Sequence, residues 1–362
     1  MRTAVAVVAV IAATGAVSAR LPASRAQVEA VAELFDAYDR GEHAQVRRAL
    51  AAANDVAALR EAIERTGERW TVAAGPATAP RRRLVTAAVA LEFAAVRMED
   101  EWKALRSLVE WGCRLIRKDA VSDAERTFHL ASVALGQGAR DRGLLFDDGG
   151  ALPRWDHLKH ARSRFPDEPR FQLAQVWPTA GEPVLGERYM SDFELAGTDH
   201  AGFLRVGGRR RIDGEIRRLE KLAAVPSIRH EALVLAGFLH VARNRLEPAQ
   251  AAFREAAHAD AEPFVRYLAQ FLLGRTFARQ ELVDDAAAAY ARALEVIPHA
   301  QSAALARAAL LFQAGSVDTA LALVDESFTA RPRPQDPWRL FGYGDFRRLP
   351  QHLERLRSEL GR

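Results

Sequence analysis

Apolar positions recur along most of this chain at spacings of three and four, the period of a helix buried along one side. Val28, Val31, Leu34 and Phe35 open the pattern, and Gly41 interrupts it between Tyr38 and Val46, as in a helical hairpin. From Arg25 to about Arg65 the spacing predicts two or three helices. Gly75, Pro76 and Pro80 then break the pattern. A strongly apolar helix is predicted over Leu84 to Arg97, and Trp102, Leu105, Leu108 and Val109 begin another. Ser122 followed by Glu125 has the spacing of a helix N-terminal capping box, so a further helix is predicted from there to Gly136–Gly138.

The middle of the chain is less regular. Asp147-Asp148-Gly149-Gly150 reads as a loop, and a helix is predicted over Arg154 to Arg164 with Leu158 and Ala161 inward. Pro166 ends it, and Pro169 suits the first turn of the next. Between Trp177 and Gly208, prolines and glycines punctuate every helical run, which predicts an irregular insertion. From Ile212 onward regularity returns. Helices are predicted over Ile212–Ala224, Ile228–Arg243, Glu247–Ala259, Glu262–Arg279, Leu282–Val296, Gln301–Ala314 and Val317–Ala330, joined by short connections that make neighbours antiparallel.

This last region repeats. Ala249, Phe253 and Ala256 are followed by Ala286, Tyr290, Ala293 and Pro298, and then by Ala320, Val324, Ser327 and Pro332. The last two copies lie 34 residues apart. Gly237, Gly274 and Ala308 take the matching small position on the preceding helices. Small residues let two helices approach closely, the aromatic residue fills the space beside them, and proline ends a helix. These segments resemble tetratricopeptide repeats. The first departs from the pattern, with Ala261 where the turn proline belongs and Pro263 two residues later.

The resemblance implies an all-α fold, with antiparallel hairpins stacked into a right-handed solenoid. It also implies that the first helix of each hairpin lines a concave groove for a protein or peptide partner. On that basis Glu231, Phe238, Arg275, Arg279, Phe312 and Gln313 are the expected groove residues. Arg275 and Arg279 stand four apart, and their guanidinium forks suit a carboxylate. A stack must hide its last apolar face. Trp338 to Leu360, with Leu349, Leu353, Leu356 and Leu360 on one face, is the expected cap.

Composition adds limits. Hydrophobic residues at 49% and charged residues at 27% permit a buried core. The net charge is only +4, and arginine and glutamate interleave along the helices, so no basic stripe marks a nucleic-acid surface. At the N-terminus, Arg2, the apolar run Ala4–Val17 and the small residues Val17-Ser18-Ala19 resemble an export signal cleaved after Ala19. The expected mature product is periplasmic or extracellular, without a stable membrane span; left uncleaved, the segment would be an anchor. The single cysteine, Cys113, allows no intramolecular disulfide and reads as a small buried apolar residue.

No motif for nucleophilic, phosphate-binding or dinucleotide chemistry is present. His157 and His160 share a predicted helix, but no third metal ligand accompanies them in sequence. Asp147-Asp148-Gly149-Gly150 lacks the alternating ligands of a calcium loop. Glu99-Asp100-Glu101 is the densest carboxylate cluster, yet adjacent helical residues diverge. The expected organisation is a signal over 1–19, degenerate hairpins over 20–176, an insertion over 177–211, repeats over 212–332 and a cap over 333–362. The expected function is an exported, non-catalytic scaffold without cofactor, metal or nucleic-acid partner. Two alternatives stand beside it: an enzyme whose helical cleft is completed by residues 177–208, and a structural subunit of an envelope complex.

Overall fold

The computed structural model describes residues 25–141, 156–176, 208–332 and 334–361. The signal-like segment, the Asp147–Gly150 loop and almost all of the expected insertion lie outside these residues. All regular structure among the described residues is helical. The chain divides into two compact units, one formed by residues up to Pro166 together with Asp345–Arg362, the other by Asp167–Gly344.

The first unit contains α1 (Arg25–Asp39), α2 (His43–Ala51), α3 (Val56–Val72), α4 (Ala79–Ile116), α5 (Asp123–Asp141) and α6 (Asp156–Arg164). Asp55 caps α3 by accepting from the Ala58 amide at 2.8 Å. The expected cap at Ser122 is present, with its hydroxyl 3.1 Å from the Glu125 amide. The two helices predicted over 84–97 and from Trp102 are one continuous α4 of 38 residues. Nothing between Arg97 and Trp102 is a glycine or proline, so the charged run there has no means of ending a helix.

The second unit contains α7 (169–176), α8 (Gly208–Leu222), α9 (Arg229–Ala242), α10 (Leu246–Ala256), α11 (Pro263–Ala278), α12 (Val283–Val296), α13 (Gln301–Gln313), α14 (Val317–Thr329) and the short α15 (Pro337–Leu340). α8 begins four residues before the predicted start, so residues 208–211 belong to a helix rather than to the insertion. Successive helices pack against each other from α8 to α14, and α9 also reaches α11.

Two features make the packing repeat. A Cβ on Gly237 would lie 2.5 Å from the Phe253 ring, and one on Gly274 would lie 2.6 Å from the Tyr290 ring. Each glycine therefore opens the slot that its aromatic partner fills. Ala249, Ala256, Ala286 and Ala293 are fully buried beside them, and Ala308 and Ala320 are buried in the next pair.

The turns repeat as well. Asn244, Glu281 and Gly315 all take positive φ, at 55°, 62° and 79°. In each turn the amide of that residue reaches back three residues and the next amide reaches back five, as in Arg245 N to His240 O, Leu282 N to Phe277 O and Ser316 N to Leu311 O at 2.8–3.0 Å. This double closure satisfies the last carbonyls of the first helix. Gly41, at φ 86°, makes the same turn between α1 and α2, with Glu42 N bonded to Ala37 O at 2.9 Å. Val46, Leu50 and Ala53 then follow Gly41 at the offsets at which Ala249, Phe253 and Ala256 follow Asn244, and all three are buried. The N-terminal hairpin thus has the register of the C-terminal ones, with aliphatic residues in place of alanine and an aromatic.

The expected cap is not one element. Trp338 and Phe341 pack in the second unit, while α16 (Leu349–Leu360) packs on α4 and α5 in the first. Its four leucines are buried in that core. In the last hairpin, Phe312 and Leu321 are each 60% exposed, and Leu305, Val317 and Phe328 are also exposed.

Candidate functional site

Two places bring chemically distinctive side chains together. The first is formed by the leading helices of the hairpins in the second unit. Asp336 anchors a short segment there. Its carboxylate accepts from the Trp338 amide at 3.0 Å, the Ser302 amide at 2.6 Å and the Tyr267 hydroxyl at 3.5 Å. Burial, with the Asp336 carboxylate nearby, pushes the Tyr267 phenol well above its ordinary range, so it stays a donor. Beyond this anchor, Trp338 lies 5.3 Å from the Phe271 ring and stacks at 5.6 Å on Phe341. Phe341 meets Phe238 at 5.4 Å. The Arg275 guanidinium stands 5.2 Å over the Trp338 ring, a cation–π contact.

The expected groove residues therefore divide. Phe238 and Arg275 contact the chain's own 336–341 segment. Glu231 is buried and pairs with Arg170 of α7 at 3.2 Å. Arg279 is exposed and donates to the Val241 carbonyl at 3.4 Å rather than joining Arg275 around a carboxylate. Phe312 and Gln313 are exposed at the end of α13. Asp336 and Trp338 fall within the expected cap over 333–362, and the repeat pattern does not single them out. An Asp-Pro-Trp run, with its acidic N-cap before a proline, is the signal that marks them as a docked turn.

Asp336→Ala removes three hydrogen bonds to one carboxylate, each of a kind worth about 1.5–3 kcal/mol when the group is charged. A net loss of about 2–3 kcal/mol is expected, because water recovers part of the solvation. Amide hydrogen exchange checks it: residues 334–342 should lose protection while α9 to α12 retain theirs.

The second place is buried in the first unit, where α4, α5 and α6 meet. Cys113 Sγ lies 2.9 Å from His157 Nδ1, and His157 Nε2 lies 3.4 Å from His129 Nδ1. Glu125, one turn before His129, has a carboxylate oxygen 3.5 Å from His129 Nε2. Arg164 holds that carboxylate through Nε at 2.7 Å and Nη2 at 3.1 Å. His160 completes the group, its ring 5.5 Å from that of His129.

Burial governs the protonation of these groups. It raises the Cys113 thiol well above its usual range, and Glu110 adds to the effect. It lowers His157 well below the usual imidazole range, reinforced by His129 and His160. His129 is lowered by burial, against the pull of Glu125. Burial opposes ionisation of Glu125, but His129 and Arg164 outweigh it and hold the carboxyl below its ordinary value. The pair Cys113–His157 is thus a neutral thiol beside a neutral imidazole, which is the reverse of an activated nucleophile. Sequence reasoning placed Cys113 correctly as buried and missed its partners. They lie on two other helices, 16 and 44 residues away, beyond the reach of any spacing rule.

No helix among the described residues is long and apolar enough to cross a membrane. A scan against protein-family models matches none of them, and a search of curated proteins finds no match.

Proposed function

We propose that this chain is an exported, non-catalytic scaffold of the tetratricopeptide type, a helical solenoid whose leading helices form a groove for a peptide segment of a protein partner. The observation that carries the reading is the docked 336–341 segment. An acidic cap and two aromatic side chains sit on Tyr267, Phe238, Phe271 and Arg275 of consecutive hairpins. Recognition of this kind, with one polar anchor and two aromatic residues in an apolar groove, is what peptide-binding arrays supply. The recurring turn and the glycine–aromatic slots support the solenoid, because they fix the same hairpin geometry at successive positions. The segment serves as an internal stand-in for a partner's.

A synthetic peptide of residues 334–342 is the probe. Full-length protein carrying Trp338→Ala and Phe341→Ala should bind it saturably by calorimetry, and the unsubstituted protein should bind it at least about tenfold more weakly because its own segment competes. Adding Phe238→Ala should remove binding. Equal binding by both proteins, or none by either, would remove the basis for a peptide groove on these helices.

A further inference from the structure

We propose that Cys113, His129 and His157 hold a single zinc ion that ties α4, α5 and α6 together. Their ligand atoms all lie within 4.8 Å of one another, and all three side chains are buried. Tetrahedral zinc, with Zn–S of about 2.3 Å and Zn–N of about 2.05 Å, places sulfur and nitrogen about 3.6 Å apart and two nitrogens about 3.4 Å apart. Cys113 Sγ to His157 Nε2 is 3.9 Å, and His157 Nε2 to His129 Nδ1 is 3.4 Å. These two separations are close to those one ion requires, and the third pair, Cys113 Sγ and the His129 nitrogen, lies within 4.8 Å. Because Cys113 Sγ stands nearer to His157 Nδ1, at 2.9 Å, the His157 ring must turn to present one nitrogen to the ion that both partners share.

The surroundings have the second layer that such a site needs. With Nδ1 of His129 facing the ion, Nε2 carries the proton and faces Glu125 Oε1 at 3.5 Å. A carboxylate behind a ligating histidine fixes its tautomer and raises its basicity. Arg164 in turn fixes the carboxylate, and it also donates to the Asp119 carbonyl. His160 is one turn beyond His157, and its Nε2 is sealed from solvent without a hydrogen-bond partner, so it is the nearest candidate for a fourth ligand. Binding would displace the proton of the neutral Cys113 thiol to solvent, and one thiolate with imidazoles, and no hard oxygen ligand in the first layer, selects zinc over magnesium or calcium. Among the described residues no other group of three such side chains has this spacing.

The test uses full-length protein, stripped with chelator and then dialysed against zinc or cobalt. Mass spectrometry of metal content should find about one ion per chain, the stoichiometry of a single tetrahedral site. The cobalt form should show a thiolate-to-cobalt charge-transfer band. Cys113 is the only cysteine, so that band identifies its sulfur as a ligand in the unsubstituted protein. Cys113→Ser should abolish the band, and Glu125→Gln should weaken zinc binding by about 10–100-fold, as loss of a carboxylate behind a ligating histidine does. If Cys113→Ser fails to fold, the band of the unsubstituted protein decides alone. Metal content no higher than that of His157→Ala, or cobalt bound without the band, would overturn the assignment.

Discussion

Gly274→Ala is expected to destabilise the second unit by about 1–3 kcal/mol, although alanine is the better helix former by about 1 kcal/mol. The sign is set by the slot. A Cβ at Gly274 would stand 2.6 Å from the Tyr290 ring, which is itself buried between α11 and its neighbours. Either the ring leaves its rotamer or the two helices separate, and both disturb Ala286 and Ala293 beneath. Gly237→Ala should behave alike against Phe253 at 2.5 Å. Gly214→Ala is the control: it lies in α8 with nothing within 4 Å, so it should be neutral or stabilising by up to about 1 kcal/mol. Thermal or urea unfolding reads all three. Tyr290→Leu in the Gly274→Ala background should recover part of the loss, which separates the slot from a backbone effect.

The second large effect belongs to the C-terminal helix. Glu92 is fully buried in the middle of α4, and it accepts from Arg357 of α16 at 2.7 and 3.0 Å and from Tyr38 at 3.3 Å. Burial and the Glu92 charge both push the Tyr38 phenol up, keeping it a donor. Arg357→Met leaves the carboxylate without its principal partner in an apolar core. The expected cost is about 3–5 kcal/mol, the range for breaking a buried pair on one side. Glu92→Met combined with Arg357→Met should return most of it, since two apolar side chains of similar volume carry no stranded charge. Deleting residues 345–362 should cost more, because Leu349, Leu353, Leu356 and Leu360 leave the same core. Hydrogen exchange should then rise through α4 and α5, and the α13–α14 hairpin should keep its protection.

These cases show what the sequence could and could not carry. The C-terminal helices were legible to within a few residues, because small residues, aromatics and prolines recur there at steps of 37 and 34 residues. The leucine face of α16 was legible too, but a face does not name its partner, and α16 packs on α4 and α5 within the first unit. Glu92, a charge inside the apolar run Leu84–Val96, was the available hint of a buried pair. Three of the shared turns carry a residue type that favours positive φ, at Gly41, Asn244 and Gly315. Glu281 adopts the same positive φ without announcing it, since the hydrogen bonds of the turn, rather than the residue type, hold it there. The hairpin α1–α2 has the same register but fills it with Val46 and Leu50, so a search for alanine and aromatic residues passes over it. Cys113, His129 and His157 meet only once three helices have packed.

The proposed function requires the leading helices of the hairpins to be a peptide-binding face that the chain's own segment occupies. Calorimetric titration of the 334–342 peptide into the Trp338→Ala/Phe341→Ala protein tests this most directly. Saturable binding is expected, abolished by Phe238→Ala and only weak in the unsubstituted protein. A flat titration by a folded double variant would contradict it.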